Sequence, residues 1–364
     1  MPGAGTKAPD MNDSAVAKVG LKPLWRAYRL RWKRRYFLAR AIRRRRQLQI
    51  VADRTGQIAP GMILGFATIR NEMLRLPQYL AHYRAQGVGH FLMVDNDSED
   101  GSADYLAAQP DVSLWQTRAS YKAARFGVDW LTWLQFRHGH GHWCLTADAD
   151  ELLCYPHDQH CDLRDLTEWL ENAGLETLSA IMIELYPKGS IKDTPLDASN
   201  FLDHLCWFDG DNFWTEPRAD GLGEVVRGGV RARAFFADDP RRAPTMNKIP
   251  LIKWNRRYAY LSSTHVALPP RLNARHWAGG DVPTAALLHT KFLADAPDRA
   301  LSEKRRGEHF AVGETYHDYY DRVAAAPDLW TAGSARFESW RDLVRLGLVQ
   351  AGGFPSKAKT DPKT

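Results

Sequence analysis

Apolar residues in the middle of the chain fall into short blocks, and the stretches between them carry apolar residues at helical spacing. Residues 62–69 (MILGFATI), 90–95 (HFLMVD), 112–115, 142–146 (HWCLT) and 178–185 are runs of strand length. Between them, Met73, Leu76, Leu80 and Tyr83 recur at three- and four-residue steps, which predicts a helix over 71–86. Phe126, Trp130, Trp133 and Leu134 do the same over 120–137, and 101–108 and 163–173 read as further helices. Strands alternating with helices at this interval predict an α/β fold: a mostly parallel sheet with crossover helices on its faces. Beyond residue 186 the pattern changes. Residues 187–229 are rich in Gly, Pro, Asp and Trp and read as loops. Residues 230–236, 249–254, 258–262 and 285–289 are strand-like, 296–350 helical and 351–364 a frayed tail, with no internal repeat.

The N-terminal segment differs from this body. Residues 1–20 are small and polar, which predicts disorder. No acidic residue occurs from Ser14 to Ala52. Pro23 suits a first helical turn, after which Trp25, Tyr28, Trp32 and Tyr36 share one helical stripe, with Arg29, Lys33, Arg40 and Arg43 to Arg46 around it. Such a helix either lies on an anionic membrane surface or packs its aromatics on the body; nucleic-acid contact is a third reading. The whole chain carries +6, whereas residues 1–58 hold 15 Lys/Arg against three Asp, a net of +12. The remainder is therefore −6, which, with the lack of RNA-binding aromatic motifs, argues against nucleic acid as a partner of the body. The expected division is a basic tail over 1–58, residues 53–60 being a linker, a catalytic-type α/β domain over 59–295 and a helical extension over 296–364. No apolar run approaches the ~20 residues that cross a bilayer, and the start does not read as a signal peptide. The expected location is cytoplasmic, peripheral on the inner face of the cell membrane.

Three strand ends carry candidate chemistry. The first is Thr146-Ala147-Asp148-Ala149-Asp150-Glu151, beyond the fourth apolar run. Ligands of open parallel sheets sit there, and two carboxylates spaced i, i+2 can hold one hard cation, Mg²⁺ or Mn²⁺, that bridges diphosphate oxygens. The second is Asp95-Asn96-Asp97-Ser98-Glu99-Asp100-Gly101, where Asp95 or Asn96 suits a nucleobase or ribose, or serves as turn chemistry alone. The third is Arg70-Asn71-Glu72. Arg231 and Arg233, on one face if 230–236 is a strand, suit a diphosphate. His289 can complete a metal shell, with His265 the competing ligand, and Lys291 can meet a phosphate. Cys154, His157, His160 and Cys161 do not fit the usual zinc spacings, so the four cysteines read as thiols.

Taken in order, these motifs resemble family 2 glycosyltransferases, and more closely a bacterial branch of them. The resemblance rests on Arg70-Asn71-Glu72, Tyr79-Leu80, His82-Tyr83, Gly87, Val94-Asp95-Asn96, Ser98, Asp100-Gly101, Trp143 and Asp148-Ala149-Asp150-Glu151. It is strong over 63–151 and continues weakly through residues 227–233, 248–251 and 287–291. It implies a GT-A (Rossmann-like) fold, a divalent metal, a nucleotide-diphosphate-sugar donor (a UDP-sugar foremost), a glycan or lipid-linked acceptor, and cell-envelope or polysaccharide chemistry with inversion. By the same resemblance Arg70, Asn71, Glu72, Asp95, Asn96 and Ser98 would hold the donor. Asp148 and Asp150 would sit at the metal and diphosphate, and Glu151 would bond the sugar or hold the loop. Ordinary members often carry two Asp where this chain has Asp95-Asn96. They also place the general base in a later Glu-Asp pair, which this chain lacks; Glu184, at the end of an apolar strand, is the expected base, with pairing to Lys188 the competing role. A sugar nucleotidyltransferase would be expected to show a Gly-rich basic loop after its first strand, where Thr68 to Glu72 stands instead. An inactive nucleotide-sugar-binding module is the other alternative, against which the intact Asp148/Asp150 pair argues.

Overall fold

The structure is a computed structural model that describes residues 21–196, 200–273, 281–308 and 317–355. The disorder expected over 1–20 lies outside the described residues, as do 309–316 of the expected helical region and 356–364 of the expected tail.

Helix α1 (Leu21–Arg44) leads into strand β1 (Gln49–Ala52). Then β2 (Ile63–Ile69), α2 (Leu76–Ala85), β3 (Val88–Asp95), α3 (Ser102–Ala107), β4 (Val112–Gln116), α4 (Val128–His138) and β5 (Trp143–Thr146) alternate. They are followed by β6 (Glu151–Cys154), α5 (Leu163–Asn172) and β7 (Thr177–Glu184). The region expected to be loops holds short strands β8 (Trp207–Phe208), β9 (Trp214–Pro217) and β10 (Glu224–Arg227), then helix α6 (Gly229–Ala234). Strands β11 (Asn247–Lys253), β12 (Ala259–Ser262), β13 (Val266–Leu268) and β14 (Ala285–His289) precede α7 (Ala296–Arg306), α8 (His317–Ala324), β15 (Ala335–Arg336) and α9 (Trp340–Arg345).

Nine strands form one sheet in the order β1-β4-β3-β2-β5-β11-β7-β14-β6. Strands β4, β3, β2, β5, β7 and β14 run in one direction, and β1, β11 and β6 run against them. The sheet is thus mixed but mostly parallel, compatible with a Rossmann-like fold. Side chains alternate between its faces. Ile63, Ala67, Phe91, Met93 and Leu114 pack with α2 and α5; Leu64, Phe66, Leu92 and Val94 pack with Trp130, Leu131 and Leu134 of α4. Both faces are covered, which is why the strands read as continuous apolar runs.

Several local expectations are corrected. Helix α2 starts at Leu76, not 71, because Asn71 sits at φ 52° and the backbone of 71–73 bonds to side chains of Ser98, Ser102 and Asp100. Residues 121–127 are turns. Helix α4 begins only after Gly127, whose φ of 75° and closeness to Thr68 exclude a side chain: a Cβ there would lie 2.6 Å from Thr68 Oγ1. Residues 229–234 form a helix where 230–236 was expected to be a strand. Gly228 before it has φ 133°, and a Cβ would meet the Asn212 backbone oxygen at 2.6 Å. Strand β1 belongs to the sheet although it lies within the basic tail, pairing with β4 at one edge.

Helix α1 turns Phe37 and Ala41 inward, and Phe37 packs with Leu222, Ala259, Val266 and Leu268. Arg40 Nε ties it to the buried Asp129 of α4 at 2.6 Å. The aromatic stripe is not the packed face: Trp25, Tyr28, Trp32 and Tyr36 are 64, 52, 51 and 59% exposed. Among the described residues no helix is long and apolar enough to cross a membrane.

Candidate functional site

The carboxyl ends of β2, β3, β5, β7 and β14 meet at one end of the sheet, where open parallel sheets bind ligands. A cleft of about 310 Å³ opens there, between these ends and α7. Its walls carry Asp148 and Asp150 from the turn after β5, Glu151 from the start of β6, Lys248 from β11, His289 from β14, and Arg299 and Arg306 from α7.

Helix α2 holds the acidic turn in place. Tyr79 Oη donates to the Ala147 carbonyl at 3.3 Å, and Tyr83 Oη donates to the Glu151 carbonyl at 2.8 Å while accepting the Leu153 N–H at 3.1 Å. His82 Nε2 lies 3.0 Å from the Leu153 carbonyl. Burial pushes the His82 pKa down to about 4, so the ring is neutral and donates that bond. The Tyr-Leu-x-His-Tyr pattern is therefore support for the acidic turn. Tyr83→Phe leaves the Glu151 carbonyl and the Leu153 N–H buried and unpartnered. Its expected cost is about 2–4 kcal/mol of unfolding free energy, read from denaturant midpoints, since each orphaned group costs about 1–3 kcal/mol. A loss below about 1 kcal/mol would show that the turn does not depend on α2.

Two sets of ion pairs organise the floor. Lys248 Nζ is 2.9 Å from Asp148 Oδ2 and also bonds Glu151 Oε1. Burial would lower the Lys248 pKa, but Asp148 and Glu151 outweigh it and hold the ammonium charged. His289 sits between two carboxylates, with Nε2 3.0 Å from Asp150 Oδ2 and Nδ1 3.5 Å from Glu184 Oε1. Burial opposes its charge, and Asp150 and Glu184 raise its pKa regardless. Asp150 is likewise held well below the ordinary carboxylate value against its burial, chiefly by His289.

Glu184 is not suited to the base role expected of it. It is buried beneath His289 and paired with Arg231 and not with Lys188, whose ammonium lies 4.2 Å from the Trp330 ring centroid. Burial raises its pKa, yet Arg231 and His289 overcome that and hold it below the usual glutamate value, a poor proton acceptor locked between cations. Arg231 and Arg233 do not share a strand face, because they lie on α6. Arg233 binds Asp209 at 2.6 and 2.9 Å and does not line the cleft. The reading of Arg233 as a diphosphate ligand is corrected accordingly; Arg231 reaches the cleft wall but is engaged by Glu184.

The remaining expected donor residues divide between wall and scaffold. Arg70 lines the cleft, its Nη1 donating to the Asn96 carbonyl at 2.8 Å. Glu72 also lines it, paired with Arg299. Asn71 and Ser98 join two loops: the Asn71 N–H donates to Ser98 Oγ, and Asn71 Oδ1 accepts from the Glu99 N–H. Asp95 is buried behind the wall, accepting from Ser98 N and Gln116 Nε2. Asn96 reaches the cleft, with Oδ1 accepting from Arg306 Nη2 at 2.8 Å. Lys291 lies in the wall 5.7 Å from the Tyr319 ring centroid. His265 accompanies it, its Nδ1 2.7 Å from the Asn247 carbonyl.

Lys248, Arg299, Arg306 and Glu303 were not among the expected site residues. A lysine inside the apolar run NKIPLI was the available signal for the first; the others lie on an amphipathic helix whose placement over the cleft no local pattern reveals.

The donor set fits a divalent cation only in part. Asp148 Oδ1 and Asp150 Oδ1 have no partner among the described residues, and Mg²⁺ or Mn²⁺ is often held by two carboxylates with phosphate oxygens completing the shell. Among the described residues no group of three or more His, Cys, Asp or Glu forms a ready-made ligand set. His289, between Asp150 and Glu184, holds the Asp150 carboxylate at the cleft.

The fold and cleft define an α/β protein with a charged cleft at its strand ends. No protein-family model matches the chain, and no curated protein matches it.

Proposed function

We propose that this protein is a glycosyltransferase with a GT-A-type domain, moving a sugar from a nucleotide-diphosphate-sugar donor to a glycan or lipid-linked acceptor. The observation that carries this reading is the cleft itself. It places the Asp148/Asp150 pair opposite arginines of α7 at the strand ends, in one space of about 310 Å³. Pockets of this order hold small ligands. Cations suit a diphosphate and aromatic rings suit a base, and Tyr121 and Phe126, in edge contact at 5.8 Å, line the same cleft.

In this reading Asp148 and Asp150 hold the cation, which when bound supplies Lewis-acid neutralisation of the departing nucleoside diphosphate. Lys248 fixes Asp148, His289 fixes Asp150, and Arg299 and Arg306 face the phosphates. Glu303 also lines the cleft; its Oε1 lies 3.5 Å from Arg306 Nη1, and its buried Oε2 has no hydrogen-bond partner among the described residues, which makes it, in this reading, an alternative to Glu184 for the acceptor-side base. Arg306 must release Asn96 for that amide to read a base or ribose.

Thermal-shift titration with nucleoside diphosphates, with and without Mn²⁺, tests the proposal. A nucleotide at about a hundred times its Kd adds about 3 kcal/mol of stability, a rise of a few degrees. UDP with Mn²⁺ is expected to give the largest shift. No shift with any nucleoside diphosphate, with or without metal, removes the transferase reading.

A further inference from the structure

The exposed aromatic stripe of α1 has no counterpart in the cleft. At 3.6 residues per turn, Trp25, Tyr28, Trp32 and Tyr36 lie on one side of the helix, and Leu30, Phe37 and Ala41 lie nearly opposite, toward the body. Three of the aromatics touch in sequence: Trp25 and Tyr28 meet edge-on at 5.8 Å, and Tyr28 and Trp32 at 6.1 Å. With Tyr36 one turn further on, they form an exposed aromatic ridge along the helix. Exposed cations flank it on both sides, Arg29 and Lys33 on one and Arg31 and Arg35 on the other. The Arg35 guanidinium lies 5.1 Å from the Trp32 ring centroid, and no acidic residue occurs in the helix.

We infer that α1 is a docking surface for an anionic lipid bilayer, lying flat with its aromatic ridge at the level of the headgroups. Charge complementarity selects this occupant. Both flanks of the ridge are cationic, whereas the chain beyond residue 58 carries −6. Tyrosine and tryptophan, each with an apolar ring and a polar edge, favour the boundary between water and hydrocarbon. A helix with an aromatic face and basic flanks inserts that face ~5–10 Å into the interface. The packed side of α1, pinned by Arg40 to Asp129, makes the body a rigid passenger on the helix. The same α4 neighbourhood runs into residues 121–126, where Tyr121 and Phe126 line the cleft, so docking would fix the cleft's position relative to the lipid surface. The inference does not depend on the transferase reading.

Vesicle co-sedimentation of the full chain tests it, on phosphatidylcholine vesicles with and without phosphatidylglycerol. Two variants accompany it: Trp25→Ser with Trp32→Ser, and Arg29→Glu with Lys33→Glu. All four positions are exposed, and thermal melting checks that both variants stay folded. The wild-type chain is expected to bind the anionic vesicles, with a blue shift of tryptophan emission. Each variant is expected to weaken binding on the order of tenfold or more. Raising salt from about 0.1 to 1 M should also weaken it, because the Debye length falls from ~10 to ~3 Å. Three outcomes overturn the inference. One is wild-type protein left in the supernatant on anionic vesicles at low salt. Another is wild-type and Trp variant binding vesicles equally. The third is wild-type self-association in sedimentation velocity that the Trp variant abolishes while vesicle binding is unchanged, which gives the ridge to a second copy.

Discussion

Asp150→Ala is expected to lower sugar transfer on the order of a thousandfold or more. A bound cation's stabilisation of a leaving phosphate is several kcal/mol, and about 1.4 kcal/mol is tenfold in rate. The carboxylate has two contributions to lose. Its Oδ1 faces the proposed cation, and its Oδ2 holds His289 at 3.0 Å. Asp150→Asn separates them, because the amide can still bond the imidazole while lacking the charge a hard cation needs. If the cation is the function, Asn should fail nearly as badly as Ala, and both should lose the extra stabilisation that Mn²⁺ gives a bound nucleotide. If Asn retains transfer while Ala does not, Asp150 acts by orienting His289. Transfer at the wild-type rate in both variants, or transfer unaffected by a strong chelator, removes Asp150 from the metal role. The fold is expected to survive, because the side chain projects at the cleft and packs no core cluster.

How far the sequence reached depended on whether the information was local. The parallel half of the sheet was legible because each strand is buried on both faces and so appears as an unbroken apolar run. The strands expected over 62–69, 90–95, 112–115, 142–146 and 178–185 match β2, β3, β4, β5 and β7 to within a residue or two. Strand β6 was not, since its four residues follow directly on the acidic turn and read as its continuation. The error at 230–236 has a different origin: Val-Arg-Ala-Arg-Ala alternates as a strand would, but Ala and Arg are strong helix formers. The positive φ at Gly228 and Gly229 starts a helix there. For the site, the Asp148 and Asp150 positions could be named from their place at a strand end. What surrounds them could not: Arg231 reaches Glu184 across 47 positions, and Arg299 reaches Glu72 across 227. Glu184 illustrates the limit. A carboxylate ending an apolar strand does signal something buried, but the sequence cannot tell a base from one arm of an ion pair.

Lys248→Met is expected to be the most destabilising single change at the cleft. Lys248 Nζ bonds Asp148 and Glu151, which differ in surroundings: the Asp148 side chain is 57% exposed and the Glu151 side chain 1%. Removing the ammonium lets water take over at Asp148, whereas Glu151 is left buried without its ion-pair partner, in surroundings that already raise its pKa, chiefly through burial. Breaking a buried pair from one side costs about 3–5 kcal/mol. Glu151→Gln should cost less, because Lys248 keeps Asp148 as its partner. The double variant Lys248→Met with Glu151→Gln should then recover much of the loss, giving a favourable coupling between the two sites in urea midpoints. That comparison separates stability from function. A folded double variant that no longer shows Mn²⁺-dependent nucleotide stabilisation assigns Lys248 the positioning of Asp148; one that keeps it confines Lys248 to neutralising Glu151. A single Lys248→Met variant within about 1 kcal/mol of wild type would mean that Glu151 is neutral or solvated in the folded protein, and the ion-pair account of the cleft floor would be wrong.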